Sequence, residues 1–183
     1  MASSGYPVLL FKAGACFADI YDMEHVFWLK ESVIAGRTGP NKDMWDLTTI
    51  KAHGFSAILS VNDGEAVHED VISSLGMQYA NMPMSPNAPP RNGDKQYCLK
   101  NLPKAMNFIR VNLHNGSVLV HCRSGKDRTG MVLAAYLIEF EDYDVKRAID
   151  KVFSVRPIAF SASGWVDFGH EVLTEYQKYK DQT

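Results

Sequence analysis

The stretch His121-Cys122-Arg123-Ser124-Gly125-Lys126-Asp127-Arg128-Thr129-Gly130 carries the residue types and spacing of a chemical step. Ser117-Val118-Leu119-Val120-His121 before it is β-rich and too short for a helix, and Thr129 to Phe140 after it is strongly apolar. The segment therefore reads as a strand, a tight polar loop and a helix N-terminus. Successive backbone N–H groups in such a loop form a concave anion nest. The helix aims its positive dipole end and its free N–H groups at the same point. That potential favours thiolate over thiol, so Cys122 is expected to act as a nucleophile. Arg128, six residues further on, returns to the rim, and its planar fork suits two oxygens of a tetrahedral oxyanion.

Phosphoryl transfer to sulfur fits this set. The thiolate attacks phosphorus in line, while the backbone amides of Arg123, Ser124, Gly125 and Lys126, with Arg128, stabilise charge on the equatorial oxygens. A cysteinyl-phosphate forms and water hydrolyses it. Thr129 is expected to hydrogen-bond the sulfur and help it leave. His121 is expected to orient the loop and favour the thiolate without acting as a base. The scheme requires no metal and no cofactor. A Walker-type nucleotide loop is excluded, because Val120 and Asp127 stand where Gly and Ser or Thr are needed.

HCRSGKDRTG resembles the C-x5-R signature loop of the cysteine-dependent protein tyrosine and dual-specificity phosphatases, H-C-x-x-G-x-x-R-[ST]-G. At average residue usage, its chance occurrence in a chain of this length is roughly one in a million or rarer. The resemblance extends over about Trp28 to Tyr179, and the length points to the compact dual-specificity type. The Gly-Lys-Asp-Arg-Thr core further resembles lipid-acting and bacterial tyrosine/phosphoinositide phosphatases. The resemblance implies phosphotyrosine, phosphoserine or phosphothreonine proteins as partners. A phospholipid headgroup or an RNA 5′-triphosphate on the same scaffold is the alternative. A catalytically weak, phosphoprotein-binding domain is the rival of a different class.

That family supplies an acid catalyst, an Asp, from a mobile loop of the type W-P-F-D-D-G-x-P-P. The corresponding Met82 to Pro90 has Ser85 and Pro86 where the acidic residues belong. Three replacements stand open. Asp127 comes first, since some relatives with a similar core are thought to use that Asp. Asp94, just past the proline loop, is second, and Asp63 or Glu65, at another strand's carboxyl end, is third. Asp127 capping its helix is an equal reading. Lys126 either widens the positive field toward multiply phosphorylated substrates or is a solvated lysine. Arg91, Lys95, Lys100 and Lys104 either add a basic rim or solvate. Arg156-Pro157 through Ser163-Gly164-Trp165 matches in position the family's last active-site loop, without the Gln sometimes found there.

These residues need a frame to hold them. Val33–Gly36 reads as an edge strand, Asp46–Ala52 as a short helix and Ser56–Val61 as a strand ending in Asn62-Asp63-Gly64. Glu69–Leu75 reads as a helix and Met77–Met84 as a strand. The segment Pro83–Pro90 holds four of the eight prolines and is irregular. Pro103 fits only a first helical turn, which predicts a helix from an Asn101 N-cap to His114. Val145–Ser154 and Trp165–Tyr179 are amphipathic helices. Strands separated by helices predict an α/β fold, with a mostly parallel central sheet flanked by helices and its ligand beyond the strands' carboxyl ends. Residues 1–25 read as an N-terminal extension and 26–183 as one domain.

With 183 residues, 46% hydrophobic, and a net charge of −2, the composition is that of an ordinary globular protein. It excludes a disordered or collagen-like chain, and a strongly basic nucleic-acid binder. Cys16, Cys98 and Cys122 have neither disulfide-framework nor zinc spacing, which points to a reducing compartment. The patch Val8-Leu9-Leu10-Phe11 is too short for a signal peptide, and no run approaches transmembrane length, so a cytoplasmic location is expected. Asn115-Gly116-Ser117 is read as a turn, Met44, Met77, Met82, Met84, Met106 and Met131 as core or loop packing, with Met82 and Met84 also as walls of the cleft, and Glu139, Glu141, Asp142 and Asp144 as a solvated helix end.

Overall fold

A computed structural model describes residues 23–182. The Val8–Phe11 patch, Cys16 and residues 1–22 of the expected extension lie outside the described residues. Five strands, β1 (Phe27–Lys30), β2 (Ile34–Thr38), β3 (Phe55–Ser60), β4 (Gln78–Asn81) and β5 (Ser117–Cys122), form one sheet in the order β1-β2-β5-β3-β4. β1 runs antiparallel to β2, and all other pairings are parallel. The helices are α1 (Leu47–Ala52), α2 (Glu69–Ser74), α3 (Asp94–Asn112), α4 (Asp127–Phe140), α5 (Val145–Val155) and α6 (Trp165–Asp181).

β5 is the central strand, and all six of its residues are buried. Because side chains alternate across a strand, Val118, Val120 and Cys122 join the core against α3 to α6. Leu119 joins a second core with Ile50 of α1 and Ile72 of α2. The same alternation puts Cys122 and His121 on opposite faces of the sheet.

Three sequence expectations need correction. The strand expected at Val33–Gly36 is not an edge, because β1 folds back along β2 and covers it. The helix expected from Asn101 begins at Asp94, with Pro103 inside it. Asn101 does not cap a helix end; its amide donates to the Pro83 carbonyl (2.8 Å). The strand expected over Met77–Met84 is regular only from Gln78 to Asn81, although Met82 and Met84 still donate to Ser60 and Val61 of the β3 side.

Smaller readings shift as well. Met84 is fully buried in the core, as its packing reading expects, and is no cleft wall, while Met44 stands 89% exposed. The acidic residues near the end of α4 have specific partners. Glu139 accepts from Tyr176, Glu141 from Lys30 and Tyr136, and Asp144 caps α5 through the Arg147 N–H.

Candidate active site

Parallel β2, β3 and β5 end at the same side of the sheet, with Thr38 opposite Cys122 and Ser60 opposite His121. The polar loop Arg123–Lys126 leaves from there and enters α4. Gly125 has a φ of +58°, and a Cβ on it would stand 2.7 Å from the Arg37 carbonyl oxygen, so only glycine lets the loop lie this close to β2. The Arg123 carbonyl accepts from the Gly39 N–H (3.1 Å), and the Arg123 side chain points outward, exposed.

Arg156 sets the loop's polarity. Its Nε donates to the Gly125 carbonyl and its Nη2 to the Ser124 carbonyl, each at 3.2 Å. In a trans peptide the N–H points away from the carbonyl it shares a plane with. Pulling those two carbonyls toward Arg156 therefore turns the N–H groups of Gly125 and Lys126 away from it. The Arg156 guanidinium is stacked 4.9 Å over Phe27. Burial lowers its pKa, against the opposing pull of Cys122 and Asp43.

Cys122 sits at the mouth of β5 with 4% of its surface exposed. Thr129 is fully buried, and its hydroxyl has no hydrogen-bond partner among the described residues. His121 lies behind the nucleophile. Its Nε2 is hydrogen-bonded to the Ser60 hydroxyl, which in turn meets the Tyr79 hydroxyl at 2.9 Å. The imidazole and the Trp45 ring are nearly perpendicular, with their centroids 4.6 Å apart. Burial, and then the charge of Arg37, push the pKa of His121 down to about 3, so the ring is neutral. Arg37 is itself fully buried and donates to the carbonyls of Thr38, Asp43 and Met44. Sequence reasoning singled out none of Arg37, Ser60 and Tyr79. The available signal was a charged residue inside the apolar run Val33 to Thr38.

Arg128 stands in the first turn of α4 and does not hang free. Its Nε donates to the Ser85 carbonyl (2.8 Å) and its Nη2 to the Asn87 carbonyl (3.0 Å). Its guanidinium lies 4.3 Å over the Trp165 ring, and the Trp165 indole N–H also donates to the Asn87 carbonyl (2.9 Å). A guanidinium has five N–H donors. The loop takes two, and among the described residues both Nη1 hydrogens and one on Nη2 have no hydrogen-bond partner.

The three candidate acids separate clearly. Asp127 is buried, accepts from the Ala162 N–H at 3.0 Å and lies 3.8 Å from Nη1 of Arg128. Asp94, at the start of α3, is buried beside the proline loop and accepts from the Arg91 N–H and the Asn87 amide. Burial works to raise its pKa, but hydrogen bonds from Arg91, Asn87 and Ser85 outweigh it and hold the carboxyl below the usual range. Asp63 accepts from the Asn41 amide at 2.8 Å, and its other oxygen faces Gly39 behind the signature loop. Nothing is described for the Glu65 side chain.

Lys126 donates to the Ser161 hydroxyl (2.9 Å), tying the signature loop to the Arg156–Trp165 segment. Of the expected basic rim, Lys95 is paired with Glu171 at 2.7 Å and Lys104 contacts Asn101. Arg91 and Lys100 are exposed. Among the described residues, no cluster of three or more His, Cys, Asp or Glu could hold a metal ion.

Residues 38–169 match the family described as dual specificity phosphatase, catalytic domain. The chain belongs to that family. Two curated relatives match parts of this chain. One is the "MAP kinase phosphatase with leucine-rich repeats protein 3" of Dictyostelium discoideum, 40% identical over 50 residues, which are 27% of this chain and 6% of that protein. The other, named as a tyrosine phosphatase, is 123R of Invertebrate iridescent virus 6, 29% identical over 83 residues, 45% of this chain and 56% of that one. The match to this phosphatase thus spans less than two thirds of either relative. In fold it is similar to PTPMT1 in complex with PI(5)P, with a TM-score of 0.70, 16% identity, and coverage of 87% of this chain and 98% of that one. No helix among the described residues is long and apolar enough to cross a membrane.

Proposed function

We propose that this phosphatase hydrolyses phosphate monoesters on tyrosine, serine and threonine side chains of proteins through a cysteinyl-phosphate at Cys122. The observation that carries the reading is the pair of hydrogen bonds by which Arg156 holds the Ser124 and Gly125 carbonyls. With those carbonyls drawn to Arg156, the N–H groups of Gly125 and Lys126 are free to meet the equatorial oxygens of a transferring phosphoryl group. Arg128 clasps the same oxygens from the opposite rim. The Thr129 hydroxyl, buried and unpartnered among the described residues, serves the sulfur as it leaves in the second step. Asp127 protonates the leaving oxygen through the carboxyl oxygen nearer Arg128. His121 acts from the reverse face of the sheet and steadies Cys122 through the backbone that the two residues share.

A second reading is a phosphoinositide substrate. Exposed Arg123 and the Lys126 ammonium add positive charge at the loop, and a neighbour in fold binds PI(5)P. The test is turnover of an aryl phosphate beside Cys122→Ser, followed by a panel of phosphotyrosine, phosphoserine and phosphothreonine peptides and phosphoinositides. Loss of turnover in Cys122→Ser with vanadate inhibition of the parent chain is expected. Undiminished turnover in Cys122→Ser rejects the mechanism, and turnover of phosphoinositides alone transfers the assignment to the second reading.

A further inference from the structure

The proline loop sits where relatives place a catalytic acid, and this chain puts Ser85 and Pro86 there. Its bonding indicates another task. Asn101 holds the Pro83 carbonyl, and the Ser85 N–H donates to the buried sulfur of Cys98 at 3.3 Å. Asp94, the first residue of α3, takes the Asn87 amide on both carboxylate oxygens at 3.1 and 3.0 Å, and the Arg91 N–H on one of them at 2.6 Å. The loop is thus tied to α3 at Asp94, Cys98 and Asn101. On its other side, the carbonyls of Ser85 and Asn87 hold the Arg128 guanidinium, and Trp165 closes the arrangement from α6.

We propose that Asp94 is a positioning residue, which through Asn87 fixes the Met82–Pro90 loop as a rigid bracket whose Ser85 and Asn87 carbonyls aim Arg128 at the phosphate. The inference rests on the reading of Cys122 and Arg128 as nucleophile and clamp. It gives the acid-less loop a function in the same reaction. Arg128 is long and unbranched, and an arginine loses considerable side-chain freedom when held in one geometry. The bracket imposes that cost during folding, so substrate does not meet it on binding. Asp94 meets the Asn87 amide with both carboxylate oxygens, and a carboxylate acceptor makes the stronger hydrogen bond.

The test uses Asp94→Ala, Asp94→Asn and Asn87→Ala in the full chain, with Lys146→Ala as a distant surface control. Asp94→Ala and Asn87→Ala are each expected to raise KM for an aryl phosphate and Ki for vanadate by about tenfold, the size of losing one hydrogen bond to a charged group. Their kcat is expected to fall much less. Asp94→Asn, which keeps an acceptor for one donor, is expected to rescue part of the loss. The double variant is expected to be no worse than either single one, because both act through one chain of contacts. The losses should be equal for aryl and alkyl phosphates. A loss confined to alkyl phosphates would make Asp94 an acid and overturn the bracket, as would unchanged KM and Ki in both Ala variants of an active parent.

A readout without turnover separates failure of the bracket from failure of the phosphatase reading. The Trp165 indole N–H resonance, assigned with Trp165→Phe, is expected to lose its hydrogen-bonded shift in Asp94→Ala and Asn87→Ala. Tungstate affinity by calorimetry is expected to weaken alongside. If the parent hydrolyses nothing but these two signals move together, the bracket stands and the substrate reading fails. If the indole signal stays fixed, the bracket is wrong whatever the activity.

Discussion

His121 is buried as a neutral ring, and that gives the fold a pH signature. Its pKa is pushed from 6.5 down to about 3 by burial and by Arg37. Between those values the unfolded chain binds a proton that the folded chain refuses. Stability from this group is therefore complete above pH 6.5 and drains away as pH falls toward 3, by at most about 1.4 kcal/mol per pH unit. Asp46 and Asp94 also lose stabilisation on acidification, but only near and below the ordinary carboxylate value of 3.8, so the upper part of the window isolates the histidine. Urea unfolding from pH 7 to 4.5 is expected to show this slope in the parent chain and a flatter one in His121→Gln. Asp127 has its own test. Asp127→Ala is expected to slow alkyl phosphates by about 10²-fold or more and aryl phosphates far less, as for loss of an acid catalyst. Equal slowing would leave Asp127 only its hold on the Ala162 N–H. At this scale, the residues sharing the contiguous motif, Cys122 to Thr129, were legible in the sequence. Ser60, Tyr79 and Arg37 were not, because strand register alone brings them to His121. The part played by Arg156 depends on which carbonyls its fork reaches, which no spacing encodes.

Among the elements, α3 shows where local rules lost to tertiary structure. Pro103 removes a helical hydrogen bond, and placing it in a first turn is the economical reading of sequence. The helix nevertheless starts at Asp94, because the carboxylate there secures the loop before it, and Cys98, Leu102, Ala105, Met106 and Ile109 bury one continuous face. β2 was mistaken for an edge for a similar reason: its cover, β1, is only four residues long. By contrast α4, α5 and α6 were placed nearly to the residue, since their apolar faces are long. The cap of α5 provides a clean prediction. The Asp144 side chain accepts from the Arg147 N–H at 2.8 Å. Asp144→Ala is expected to cost about 1 kcal/mol and to lower Tm by about 2–4 °C, with aryl phosphate turnover unchanged. Differential scanning calorimetry beside an activity assay checks both halves.

For the molecule as a whole, the site depends on how closely α4 and α6 approach the segment between α5 and α6. Fully buried Phe160 fills the space between them, and a Cβ on Gly169 of α6 would stand 2.7 Å from its ring. Gly169→Ala is therefore expected to overpack the core at a cost of about 1–3 kcal/mol. The same ring anchors the segment that carries Arg156 and Ala162, both of which hold the signature loop or its flank. Its kcat/KM is expected to fall even well below the unfolding temperature, whereas Asp144→Ala changes stability alone. The overall α/β plan, with one mostly parallel sheet and the site at the strands' carboxyl ends, followed from the alternation of apolar runs. The layering of helices on each face did not, because it depends on which residues of β5 point which way.

The tethered proline loop also bears on how fast an anion is captured. A wall already fastened to α3 on one side and to Arg128 on the other has no closing movement to complete after encounter. Tungstate mixed with the chain in stopped flow should then give a single exponential whose rate climbs in proportion to concentration without levelling off. A plateau would reveal a slow rearrangement, and with it a gate in a wall that otherwise stands still.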